Sequence, residues 1–174
     1  MEVLQRRFEN LDRVLSGHEF VALLWGPGKD NDSHIKRQQI KAHLKNVFKN
    51  ATVVMSEDNE IRKHSRPRFD CIINEELAHA EVADIIFALD CSHGVGEEIA
   101  KYSEYPIVAS RLVVLTHQRH LRSKSFSAEV RQRLELEPYT DKQFETSLLG
   151  KVICVRRVRS FLLKKHMFFN GRQD

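Results

Sequence analysis

The sequence contains little cysteine, proline or glycine: three, four and seven residues, respectively, among 174. The cysteines, Cys71, Cys91 and Cys154, lie far apart in the chain and in no metal-ligand spacing. This pattern favours free, buried thiols in a reducing compartment over metal binding. We therefore predict a cytoplasmic protein.

Long apolar runs are also absent. No stretch approaches the roughly 20 apolar residues that a membrane-spanning helix requires. Residues 1–7 are charged where a secretory signal has its apolar core, so we expect neither export nor membrane insertion. The composition, 41% apolar and 30% charged, is typical of a globular protein, and 174 residues suit a single domain over 1–174.

The chain is mildly basic, with a formal net charge of +4 and a pI near 9.0. Such a charge suits a phosphorylated ligand but also an ordinary surface. Basic residues crowd the predicted C-terminal helix: Lys151, Arg156, Arg157, Arg159, Lys164 and Lys165. Because the pattern lacks the aromatic interleaving typical of base stacking, we interpret it as a solvated face and expect no nucleic-acid partner.

Apolar runs alternate with helical patterns along the chain. Strands are predicted at 20–25, 51–55, 83–87, 112–116 and, as an edge strand, 134–137. Helices are predicted over 2–15, over 33–49, from Phe69 onward and over 141–166, and the basic segment 60–68 is predicted to be a flexible flap. The fold class is therefore α/β: a single three-layer domain, whose mostly parallel sheet of about five strands is flanked by helices, with an N-terminal helix and a long C-terminal helix.

The stretch 83–100 contains the strongest signal for a site. Its strand leads through a polar turn with Ser92, Gly94 and Gly96 into a helix, the order expected of a ligand loop at the carboxyl edge of a parallel sheet. The glycines allow close approach of the backbone, and the free N–H groups of the first helical turn favour an anion such as phosphate. The alternative is an ordinary strand-to-helix turn.

A second glycine turn follows the first predicted strand. Gly26, Gly28 and Lys29 lie at the same predicted sheet edge, where Lys29 would add a positive charge. Gly-Pro-Gly is also a common turn, so a purely structural role is the alternative. The acidic group at 56–59 could bind sugar hydroxyls or form a solvated turn.

Two glutamates fall on predicted inward faces of helices. Glu98 follows Val95 by three residues near the start of its helix, where an ionised carboxylate is stabilised by roughly 0.3–1 kcal/mol; it is a candidate nucleophile. Glu76 lies within the apolar stripe that begins at Phe69, whereas Glu75 is predicted to face outward. A carboxylate in such a stripe must be paired, protonated or line a cavity, so a salt bridge to an arginine is the alternative to a site.

Two histidines, His117 and His120, lie in the loop that is predicted to follow the fourth strand. The two are three residues apart, but no acidic or thiol ligand accompanies them. We therefore predict neither a metal site nor a cofactor.

The motif Ser92-x-Gly94-Val95-Gly96-x-Glu98 follows the strand at 83–87, and Glu76 stands eight positions before Asp84. In this motif and spacing the chain resembles the 2'-deoxynucleoside 5'-phosphate N-hydrolases and the related nucleoside 2-deoxyribosyltransferases, which have a Rossmann-like fold. The resemblance covers about residues 19–140 in element order. The same superfamily includes NAD-cleaving domains of the TIR type and nucleotide-sensing modules.

The resemblance implies roles for these residues. Ser92, Gly94 and Gly96 would hold the 5'-phosphate, Glu98 would attack the anomeric carbon, and Glu76 would assist the departing base. The first glycine turn, Gly26, Gly28 and Lys29, would bind the same phosphate. Homodimers are also common in the family.

Three features differ from the family pattern. The family usually has aspartate at the position of Glu76, and Leu23 stands where a tyrosine in the first strand commonly helps to hold the nucleophile. The segment 60–68 and the insertion between Tyr102 and Leu112 have no clear counterpart.

Cleavage of a C–N glycosidic bond passes through an oxocarbenium-like state, so it needs a negative group near the sugar and a proton donor for the base. We predict that Glu98 stays ionised at its helix start and that the apolar stripe raises the pKa of Glu76. The predicted function is an N-glycosidase or deoxyribosyl transferase acting on a small-molecule nucleotide. The alternatives are a non-catalytic nucleotide-sensing module and a TIR-like NAD hydrolase in a defence or stress setting.

Overall fold

A parallel sheet forms the centre of the protein, as the apolar runs predict. The computed structural model describes residues 1–26, 32–90, 93–121 and 134–170. In these ranges the strands are β1 (Phe20–Trp25), β2 (Ala51–Met55), β3 (Ile85–Asp90), β4 (Leu112–His117) and β5 (Glu135–Tyr139). They pair in the order β2-β1-β3-β4-β5, and every pair is parallel. The strand order reverses at β1, because β2 lies on one side of β1 and β3 to β5 lie on the other. Such a reversal creates a crevice between the carboxyl ends of β1 and β3.

Helices connect the strands and cover both faces of the sheet. They are α1 (Glu2–Ser16), α2 (Asp32–Val47), α3 (Asn59–Ser65), α4 (Ile72–Val82), α5 (His93–Tyr102), α6 (Pro106–Arg111), α7 (Asp141–Glu145) and α8 (Val155–Asn170). Short 3₁₀ turns follow α3 and β4, and a π-helical segment precedes α8. The predicted α/β class and the five-stranded parallel sheet are confirmed. None of the helices in the described ranges has the length and apolar character needed to span a bilayer.

The two sides of the sheet pack into two separate cores, because side chains alternate along a strand. Phe20 and Leu24 of β1 belong to the core shared with α1, α2 and α8. Leu23 and Trp25 belong to the other core, shared with α4, α5 and α6. The helices that bear Glu76 and Glu98 thus pack on the same side of the sheet.

The N-terminal helix contacts the body only through its second half. Leu15 is buried and Leu11 is partly buried, and Asp12 forms an ion pair with Arg159 at 3.2 Å. The other apolar residues that its helical spacing predicts to face inward, Val3, Leu4, Phe8 and Val14, are exposed. The predicted helix is confirmed, but the first part of its apolar stripe does not pack on the domain.

The segment 60–68 is not an irregular flap, so that prediction is wrong. It forms α3 and a 3₁₀ turn, Arg66–Arg68. Ser65, at the end of α3, is buried and its hydroxyl donates to the carboxylate of Glu75 at 2.5 Å. A buried polar contact therefore orders a segment whose composition gives no apolar signal.

The predicted helix over 141–166 is divided. Its first part, α7, is capped by Thr140 and Gln143 and ends before Thr146. A π-helical segment, Leu149–Cys154, then runs into α8. The wider turn brings Ile153 and Cys154 into the core and leaves Val152 exposed, whereas regular helical spacing predicts Val152 inside.

The cysteines differ in their surroundings. Cys154 is buried, as predicted, and burial raises the pKa of its thiol. Cys71 is exposed, so the prediction that it is buried is wrong. Cys91 lies outside the described residues.

Candidate functional site

The candidate site lies at the carboxyl ends of β1 and β3, where the topology creates the crevice. Gly26 follows β1 directly, and only two residues separate the end of β3 from the start of α5. Ligands of open parallel sheets bind at such a position, and a helix start offers free N–H groups to an anion. Gly94 and Gly96 lie within α5. The predicted ligands Gly28, Lys29 and Ser92 lie outside the described residues.

A side chain at position 26 would collide with Arg37. A Cβ at this position would stand 2.8 Å from Nε and 2.9 Å from Cδ of Arg37. The Arg37 side chain is almost completely buried, at 1% exposure, so it has little room to move. The start of the first glycine turn is therefore packed directly on a buried guanidinium.

That guanidinium is paired with an acid of the 56–59 group. Arg37 Nη1 lies 2.7 Å from Oε1 of Glu57, and His34 Nδ1 lies 3.0 Å from the same oxygen. Burial alone would raise the pKa of Glu57, but the hydrogen bond and charge of Arg37 hold it below its usual value. Asp58 pairs with Lys41 at 2.6 Å. These two acids have cation partners within the protein, and neither the sugar-binding nor the solvated-turn interpretation fits them.

Glu76 has a different kind of partner. Its half-buried carboxylate accepts a hydrogen bond from the hydroxyl of Tyr102 at the end of α5. The ring of Tyr102 packs on Trp25, with 4.9 Å between ring centroids. In the described part of the chain no arginine, lysine or histidine forms an ion pair with Glu76, so the predicted alternative of an arginine salt bridge does not apply to those residues.

Glu98 lies close enough to Glu76 for their charges to interact. Its side chain is exposed, so the prediction that it shares the inward face of α5 with Val95 is wrong. Partial burial of its carboxyl group and the negative charge of Glu76 raise the pKa of Glu98. Burial and the neighbouring carboxylate therefore have a larger effect on the pKa of Glu98 than the helix start. That Glu98 is ionised stays a prediction.

The orientation of α4 differs from the prediction. The helix begins at Ile72, and Phe69, Ile72 and Ile73, which were expected to face the core, are exposed. Glu75, expected to face outward, is buried. The stripe is confirmed for Ala80, which is buried, and for Leu77, which packs on the core, but polar side chains occupy the buried side next to them.

The buried side of α4 forms a hydrogen-bonded group with α3. Ser65 Oγ donates to Glu75 and lies 2.9 Å from Nε2 of His79, which is itself buried. Burial lowers the pKa of His79, although the negative charges of Glu75 and Glu76 act in the opposite direction. This group fixes the rotation of α4 and, with it, the position of Glu76.

Two aromatic side chains of the site were not predicted as functional. Trp25 is buried, and among the described residues its indole N–H has no hydrogen-bond acceptor. A buried donor without an acceptor is costly, so it is suited to bind a polar ligand atom. In the sequence Trp25 ends an apolar strand and Tyr102 completes an inward helical face, and neither pattern distinguishes these residues from core residues.

The carboxyl end of β4 holds further polar side chains. His117 is buried, with Nε2 3.0 Å from Asp141 and Nδ1 accepting from the backbone N–H of Arg119 at 3.2 Å. Within the described ranges, no group of three or more histidine, cysteine or acidic side chains is arranged to hold a metal ion.

The cations of the C-terminal helix are partly used within the protein. Arg156 and Arg157 pair with Glu137, Arg159 pairs with Asp12, and Lys165 lies 3.1 Å from Asp84. The expectation of a solvated face is confirmed for Arg156 and Arg159, whose side chains are exposed, whereas Arg157 and Lys165 are partly buried.

No protein-family model and no curated protein matches this chain. The resemblance based on Ser92–Glu98 and its spacing to Glu76 therefore stays a prediction. The same holds for the homodimer that the resemblance implies.

Proposed function

We propose that this protein is an N-glycosidase or deoxyribosyl transferase that cleaves the base–sugar bond of a nucleoside 5'-phosphate or related nucleotide. The observation that carries this proposal is the pair Glu76 and Glu98. Their carboxyl groups interact across α4 and α5 on one side of the sheet, beside the crevice between β1 and β3. Neither forms an ion pair with a cation in the described parts of the chain.

Two interacting carboxyl groups suit this chemistry because they lose their protons one after the other. The negative charge of Glu76 raises the pKa of Glu98, so there is a range of pH in which the pair holds one proton. In that range one acid is ionised and can attack, while the other can donate a proton. The proposed roles require that the shared proton resides on Glu76 when Glu98 attacks. Two acids with separate cation partners would both be ionised and would lack the donor.

The reaction then balances with these two residues and water. The Glu98 carboxylate attacks the anomeric carbon and forms an ester, while the C–N bond breaks and its electron pair leaves with the base. Glu76 protonates the departing base. Glu76 next takes a proton from water, which attacks the anomeric carbon and releases Glu98 and the sugar phosphate. In transfer, a second base replaces the water.

The backbone at the crevice is suited to the phosphate. The start of α5 favours a negative group, and Gly26 brings the first turn onto Arg37. By the resemblance, the ligands are Ser92, Gly94 and Gly96, together with Gly26, Gly28 and Lys29. The N–H of Trp25 adds a buried donor at the end of β1.

The test is release of free base from a panel of nucleoside monophosphates, nucleosides and NAD, measured by chromatography. We expect release from a nucleoside monophosphate, and a loss of at least about 10³-fold for Glu98→Gln. Glu104→Gln, which changes an exposed glutamate just beyond α5, is the matched control and should keep full activity. Undiminished release by Glu98→Gln would contradict the nucleophilic role.

The same panel distinguishes the other candidates. Saturable binding of a nucleotide without release of base would favour a nucleotide-sensing module. Release of nicotinamide from NAD, without cleavage of the monophosphates, would favour an NAD hydrolase. Either result would overturn the proposal.

A further inference from the structure

Tyr102 connects the two acids of the proposed site. It is 4% exposed and ends α5, the helix that bears Glu98, while its hydroxyl donates to Oε2 of Glu76 on α4. Its ring is held against Trp25 at the end of β1. One side chain thus contacts the first strand and the acid of a neighbouring helix, and the packing leaves it little freedom to rotate.

The hydroxyl of Tyr102 is a permanent donor. Burial, the hydrogen bond to Glu76 and the charge of Glu98 all raise its pKa, so it keeps its proton throughout the working range of pH. The titratable groups whose charges act on Tyr102 are Glu76 on α4, Glu98 on α5 and the neighbouring Tyr105. His79 on α4 in turn interacts with the charge of Glu76.

We propose that Tyr102 is a positioning residue for Glu76, which it holds by one carboxyl oxygen so that the other oxygen serves the departing base. This inference rests on the proposed function. Because Oε2 accepts the proton of Tyr102, the proton that Glu76 donates resides on Oε1. The hydrogen bond also stabilises the ionised form of Glu76 after it has protonated the base, which favours the step.

Tyr102→Phe tests this proposal because it removes the hydroxyl and keeps the ring that packs on Trp25. We expect kcat for base release to fall about tenfold, the effect of one lost hydrogen bond, with KM changed by less than about twofold. Tyr105→Phe is the matched control, since it removes the hydroxyl of a neighbouring, exposed tyrosine and should leave kcat unchanged.

A second measurement does not depend on activity. The carboxyl groups of ¹³C-labelled glutamates are observed by NMR at one pH in the wild-type protein and in both variants. Loss of the hydrogen bond should shift the carboxyl resonance of Glu76 in Tyr102→Phe only. A residue with a purely packing role would leave this resonance in place.

The two readouts separate the two proposals. If the wild-type protein releases no base, the proposed function fails, while the NMR measurement still decides whether Tyr102 holds Glu76. If Tyr102→Phe leaves the Glu76 resonance unchanged, or lowers activity only through KM, the positioning role is wrong.

Discussion

Two groups of carboxylates lie beside the same sheet, and their surroundings shift the pKa values of Glu57 and Glu98 in opposite directions. Glu57, which follows β2, is buried and held by Arg37 and His34. Among the described residues, neither Glu76 nor Glu98 forms an ion pair; Glu76 accepts from the hydroxyl of Tyr102, and its charge acts on Glu98 and His79. The pKa of Glu57 is held below its usual value, whereas that of Glu98 is raised.

This difference separates a structural acid from a reactive one. A carboxylate with a buried guanidinium stays ionised and cannot exchange protons at neutral pH. A carboxylate beside another carboxylate changes its charge readily, which is a cost for stability and a property that catalysis can use. Three predictions test whether the two groups differ in this way.

The largest effect is expected for Arg37→Met. The substitution leaves Glu57 buried without its guanidinium partner, and removal of one partner from a buried pair costs about 3 kcal/mol or more. We expect the free energy of unfolding in urea to fall by about that amount and Tm to fall by roughly 6–12 °C. Glu76→Gln is the comparison, since its amide oxygen can still accept from Tyr102, and it should change stability by less than about 1 kcal/mol. Equal losses of stability in Arg37→Met and Glu76→Gln would contradict the distinction between Glu57 and Glu76.

A smaller effect is expected for Gly26→Ala. The new methyl group would stand 2.8 Å from Nε of Arg37, so the buried pair with Glu57 must shift, at a cost of about 1–3 kcal/mol. Binding of a nucleoside monophosphate, measured by calorimetry, should weaken as well because the turn is displaced. Gly17→Ala is the control: its Cβ would stand 3.5 Å from the nearest atom, an ordinary contact, so stability should hold. Unchanged stability of Gly26→Ala would show that Arg37 moves freely.

The smallest effect is expected for Glu98→Gln, with a sign opposite to that of Arg37→Met. Because the pKa of Glu98 is raised in the folded protein, the ionised carboxylate destabilises the fold, and wild-type stability falls as pH rises from the unfolded to the folded pKa. Above that window the glutamine variant should be the more stable protein, by less than about 1 kcal/mol since water screens this exposed side chain. Below it the two proteins should be equal. Urea unfolding between pH 4 and 8 measures this, and a glutamine variant less stable at pH 8 would show that the charge of Glu98 is favourable.

The sequence predicts the sheet and most helices because their signals are local. Continuous apolar runs such as 20–25 and 51–55 match β1 and β2 residue for residue. The rotation of α4 could not be predicted, since its buried side includes Glu75 and His79 beside Ala80, and the partner of these polar residues, Ser65, belongs to another helix. The π-helical segment at Leu149–Cys154 was also missed, because the packing of Gly150 on α2, where a Cβ would stand 3.2 Å from Cα of Ile40, is a tertiary contact.

The sequence alone determined that this chain forms a parallel α/β sheet flanked by helices, since hydrophobic periodicity acts through neighbours in the chain. Only the tertiary structure decided which acids are neutralised. Arg37 reaches Glu57, and Tyr102 reaches Glu76, from elements that are 20 and 26 residues away in the chain. Electrostatic interactions act through space, so the charge of a carboxylate depends on neighbours that the order of residues does not reveal.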